Sequence, residues 1–257
     1  MLKALTIWHT TLARDFTVLL SRRSFWGLLT LWTALSAVIF FAYLEDFLAI
    51  QPSLRAKNFR YGVTDMVLLP YLKLLGSIAI IVMAGLCSRL FYQECFAPFS
   101  AIFRSTRPSA FAVTAAKIVY IKLLAALLLL LLALPVIGSG LFMEYNGFRI
   151  VVTLLACFMV LLLVGVLSML LSQVFAHSVV VMLITVVIVL VPELIVRLMV
   201  EPTWLAPIIA FFSPLAHLNR ITTGVLSVSD VIFFLGLVLL LFFVAVRQFN
   251  NTYLSIS

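Results

Sequence analysis

The chain has 257 residues, 65% of them apolar and 10% charged. A soluble domain carries about 45–50% apolar residues, so this composition excludes one and places the chain among membrane proteins. The net charge of +8 is not the mark of a nucleic-acid partner, because membrane proteins gather Lys and Arg in the loops of one side.

At roughly 20 residues per crossing there is room for about six spans, with no loop long enough to fold by itself. The apolar runs are continuous rather than alternating, which selects helices over a lipid-facing β-barrel. The expected fold is an all-α membrane protein. It has an interfacial helix over 1–24 and a single six-span domain over 25–257.

In the first segment Leu5, Trp8, Leu12, Phe16 and Leu19 recur every three or four residues, with Thr6, Thr10, Arg14, Thr17 and Ser21 between them. That period predicts an amphipathic helix. Trp8 suits the headgroup level, and Lys3 and Arg14 suit anionic lipid. The segment lacks the short apolar core and small-residue cleavage site of a secretory signal. Arg22 and Arg23 stand directly before the first span, 25–44, where Trp26, Trp32 and Tyr43 include candidate belt residues.

A loop of mixed charge containing Pro52 is expected over 45–65, and then a second span over 66–88 with Pro70 and Lys73 in its first turns. The segment 89–112 is too polar to cross. Its Phe96, Phe99, Ile102 and Phe103 recur at helical spacing beside Arg104 and Arg107. They describe a short helix with one apolar face, either resting on lipid or entering a groove on a partner. Glu94 lies near Arg89, as a local pair or as a contact to that partner.

Further spans are expected over 113–137, 150–172 and 178–199. Gly138-Ser-Gly140 and Ser172–His177 form turns after the first two. In the third, Glu193 and Arg197 lie four apart, the spacing of a local ion pair. An ionisable residue at membrane depth also suggests a gate or substrate path. Pro202, Pro207 and Pro214 then break 200–229 into a short apolar hairpin before the last span, 230–248.

With the N-terminus inside, ten basic residues face the cytoplasm against two acidic ones, and the outer side holds seven of each. The bias in Lys and Arg puts both termini in the cytoplasm. Cys87, Cys95 and Cys157 have no metal or redox spacing. His9, His177 and His217 stand far apart with no ligand spacing, and no metal site is expected. There is no G-x-x-x-x-G-K-[ST] phosphate loop and no G-x-S-x-G elbow, so the chain is not expected to be an enzyme.

The order of parts adds a further reading. After span two come Glu94, the apolar pair Ile102-Phe103, the turn Pro108-Ser109 and Lys117 at the opening of span three. Before the last span come Ser213-Pro214, His217, Thr223-Gly224 and Asp230. In this layout the chain resembles an ABC transporter type-2 permease, of the small six-span branch similar to gliding-motility-type permeases. At Ala97-Pro98-Phe99 it departs from the Gly-Thr or Gly-Ser usual there.

The resemblance implies the membrane subunit of an ATP-driven exporter in the bacterial inner membrane. It would be paired with a second permease subunit, as a homodimer or heterodimer, and with a separate ATP-binding cassette ATPase that holds the ATP and Mg. It also implies that 89–112 is a coupling helix contacting the ATPase through Glu94, Phe96, Phe99, Ile102, Phe103, Arg104 and Arg107. Glu193, Arg197, Pro214 and His217 would then belong to an outer gate or substrate path. The alternative is a membrane scaffold or assembly protein that works mechanically with an ATPase and moves no substrate.

Overall fold

The computed structural model describes residues 2–56, 62–96, 109–140, 145–198, 204–224 and 227–254. Helix α1 spans Leu2–Leu20 and α2 Arg23–Ala56. A π-helical turn, Thr64–Leu68, leads into α3, Leu69–Cys87. The short α4, Tyr92–Cys95, is followed by α5, Ala110–Ser139, α6, Gly147–Leu171, and α7, Ser178–Leu198. Helices α8, Leu205–Phe212, and α9, Pro214–Thr222, form the hairpin before α10, Val228–Leu254. Six of these elements are long and apolar enough to cross a membrane: α2, α3 with its π turn, α5, α6, α7 and α10.

Local sequence accounts for several boundaries. Ser109 opens α5 by accepting from the Ala112 amide, and Asn146 opens α6 by accepting from the Arg149 amide. Both are preferred cap residues because a short side-chain oxygen reaches an orphan N–H. The π turn sits where Pro70 follows. Proline offers no N–H to the carbonyl four residues back, and the ladder adjusts so that the Leu69 amide reaches the Thr64 carbonyl, five residues back.

The first part of the loop expected over 45–65 is helical. The segment read as a loop after residue 44 continues α2 as helix through Ala56, with Pro52 inside it. At 1.5 Å per residue the 34 residues of α2 reach about 51 Å. The hydrocarbon layer is about 30 Å. Exposed Glu45 and Asp46 therefore ride on a helical extension beyond the apolar layer, and one proline removes only one backbone bond there.

The bundle is built around α6, whose spanning window is 67% buried, the most of the six. Helix α6 touches α3, α5, α7, α9 and α10. Gly165 lets it approach closely, since a Cβ there would lie 2.5 Å from Ile121 Cγ2 and 2.9 Å from Met83 Cε. Interhelical hydrogen bonds pin the rest. Ser168 Oγ donates to the Ala84 carbonyl at 3.0 Å, and Tyr71 Oη to the Leu132 carbonyl at 2.8 Å. Trp32, a candidate belt residue by sequence, is instead 2% exposed in the core and donates Nε1 to the Leu128 carbonyl.

Chain ends and turns sort to two ends of the bundle. Phe91, just before α4, meets Phe249 near the end of α10 with ring centroids 4.9 Å apart. Six spans return the chain to its starting side, so α1, α4 and the end of α10 share one end. The π turn and the α8–α9 hairpin lie at the other.

Candidate functional site

At the α1 end, four charged residues from three elements meet in the interior. Helix α1 packs along α5, burying Thr11 and Leu19 and setting Phe16 against Tyr120 with ring centroids 5.0 Å apart. This places Arg14 and Asp15 over the first turns of α5. Lys117, one side of which is the apolar interior of span three, has a fully buried side chain. Its Nζ lies 3.0 Å from Asp15 Oδ2 and 2.9 Å from Glu94 Oε1. It also donates to the Leu90 carbonyl and sits 4.9 Å over the Phe91 ring. The Arg14 guanidinium donates to Asp15 Oδ1 at 2.8 Å and to Glu94 Oε1.

Glu94 is 2% exposed. Burial pushes its carboxyl up, but Lys117 and Arg14 overcome this and hold it below the usual carboxylate range. Its Oε1 serves both cations, while Oε2 is buried with no hydrogen-bond partner among the described residues. Two anions against two cations make the cluster neutral, the condition for burying charges. The cluster ties the segment leaving span two to both α1 and span three. The expected Glu94–Arg89 pair is thus replaced by long-range pairs, because packing of α1 on α5 delivers stronger partners. Arg14 likewise turns inward rather than toward lipid.

Of the other residues assigned to a coupling helix, Phe96 is 40% exposed and 6.2 Å from the Tyr92 ring centroid. Phe99, Ile102, Phe103, Arg104 and Arg107 lie outside the described residues.

At the opposite end, two carboxylates hold the α8–α9 hairpin. Glu193, on α7, pairs with Arg197 Nε at 2.9 Å, as the spacing predicts. It also accepts from Asn219 Nδ2 at 2.9 Å and from Ser213 Oγ at 3.3 Å. Ser213 caps α9 by accepting from the Ala216 amide, and buried Pro214 fills the first helical position, where a missing N–H costs nothing. Asp230, in the first turn of α10, takes His217 Nδ1 at 2.6 Å, the Arg220 guanidinium, and the Ser227 amide at 3.1 Å. The His217 ring stacks on Phe233, centroids 4.2 Å apart and 15° from parallel, and donates Nε2 to the Phe211 carbonyl at 2.8 Å.

The structure therefore brings Glu193, Arg197 and the Pro214 turn together, and holds His217 separately through Asp230. One carboxylate locks the hairpin to span five and the other locks it to span six. No protein-family model, curated protein or solved structure matches this chain. What the geometry offers is mechanical: a neutral ion cluster linking α1, α4 and span three, and a polar latch on a hairpin between the last two spans. Asp15, Asn219 and Arg220 have no functional place in the sequence reading, and Arg14 is placed there against anionic lipid. The signal that was available is Lys117, a charge inside an apolar run, which requires a buried partner.

Proposed function

We propose that this chain is the permease subunit of an ATP-driven ABC exporter, working with a separate ATP-binding subunit and a second permease subunit. The observation that supports this reading best is the Arg14–Asp15–Glu94–Lys117 cluster. A force applied to the segment after span two would be passed by Glu94 to α1 and to span three, rather than absorbed in a loose loop. The same segment carries the apolar and basic residues suited to a groove on a partner. The latched hairpin, on the opposite side, would be the element displaced when the spans tilt. The cargo would pass along the spans, and ATP and Mg would act on the partner.

The test is affinity purification of the tagged chain from detergent. An ATP-binding cassette ATPase is expected to co-purify, and Phe99→Asp with Phe103→Asp is expected to release it while membrane insertion is kept. Retention of the ATPase at normal stoichiometry by that variant would overturn the assignment. Cargo movement in sealed vesicles separates the exporter from the mechanical scaffold.

A further inference from the structure

Arg22 and Arg89 are two basic residues at the α1 end that the ion cluster does not use. Both are exposed, and neither is in an ion pair among the described residues. They line one cavity of about 250 Å³ together with Tyr92, Tyr120 and Asp15. Asp15 does not neutralise them, since its two oxygens are taken by Arg14 and Lys117 at 2.8 and 3.0 Å. Tyr120, 3% exposed, is part of the cavity wall. The site thus offers two cations, unpaired among the described residues, to an anion.

The cavity does not end there. Arg22, Arg89, Leu19 and Leu86 also line an adjoining groove of about 370 Å³. The groove runs between α2, α3 and α7 over Phe25, Leu28, Ile81, Val82 and Met182. Its walls are membrane-spanning helices. A free phosphate would use the first part and leave the second empty.

We propose that this composite site binds one anionic phospholipid, with its phosphate between Arg22 and Arg89 and an acyl chain in the groove. The charge complementarity and the continuity of the polar pocket with a span-walled apolar groove select a lipid. The site rests only on the chain being a membrane protein and stands or falls separately from the transporter reading.

The experiment is native mass spectrometry of the full chain in detergent. Phosphatidylglycerol is compared with phosphatidylcholine of the same acyl chains, with glycerol 3-phosphate as a soluble competitor. Phosphatidylglycerol is expected to bind preferentially. Arg22→Gln and Arg89→Gln should each weaken it about fivefold, and both together about 30-fold, from the attraction that one basic residue adds near an anionic lipid. Arg23→Gln removes the same charge outside the cavity and should change binding less than twofold. Leu86→Trp, which fills the junction and keeps both arginines, should also lower phosphatidylglycerol binding, so the outcome does not depend on the arginine variants folding. Undiminished preference in the double variant, an Arg23→Gln loss as large as that of Arg22→Gln, or displacement of the lipid by glycerol 3-phosphate alone would overturn the proposal.

Discussion

Lys117 shows how a single residue decides local structure here. Its ammonium is fully buried, so it is tolerable only with Asp15 and Glu94 beside it. Removing one member leaves the others uncompensated. Lys117→Met is expected to destabilise the protein by about 3 kcal/mol, the usual cost of breaking a buried pair, measured by denaturation in mixed micelles. Adding Glu94→Gln to it should cost less than the two single changes summed, because the pair fails as a unit.

Glu94 also predicts a pH response. Its folded carboxyl titrates below the ordinary value of 4.5. The stability it contributes is therefore complete above that range and lost as the pH falls through the folded value. Unfolding midpoints should be insensitive to this group between about pH 6 and 8 and should drop below about pH 4.5. Glu94→Gln should flatten that acid limb.

At the scale of elements, the α8–α9 hairpin is short and is held by polar contacts at both sides. Asp230→Asn keeps the shape but removes the charge that Arg220 and His217 share. Hydrogen exchange of α9 amides is expected to quicken about tenfold or more, roughly 1.4 kcal/mol of local opening, while the α3 and α6 amides keep their protection. Equal acceleration in all helices would show that the contacts hold the whole bundle rather than the hairpin.

Helix α1 illustrates what sequence can and cannot say about an element. The period of Leu12, Phe16 and Leu19 fixes an amphipathic helix, and those residues do face the core. The period does not say whether that face meets lipid or α5. That choice was made by Tyr120 and Lys117, about a hundred residues away. The extension of α2 past Glu45 escaped the sequence reading for the opposite reason. Polar residues and a proline mimic a loop, yet helix is allowed wherever water can take the backbone groups that proline leaves open.

At the scale of the whole molecule, α1 and the end of α10 share one end, and a cytoplasmic location for that end is the expectation from the bias in Lys and Arg. Labelling tests this. In a Cys95→Ala background, Ser100→Cys should react with a membrane-impermeant maleimide only from the cytoplasmic side. Gly62→Cys, exposed at the other end, should react only from outside. Reversal of the pattern would invert the topology and remove the basis for an ATPase contact at 89–112.

The sequence by itself determined the class, the number of spans, the position of the hairpin and the i,i+4 pair of Glu193 with Arg197. Each follows from composition or from a spacing that repeats within one helix. Tertiary structure alone decided that Arg14 turns inward, that Glu94 passes over nearby Arg89 for Lys117, and that Asp230 holds His217. These are choices among partners distant along the chain, and burial settles them: a charge removed from water takes the opposite charge that helix packing brings within reach.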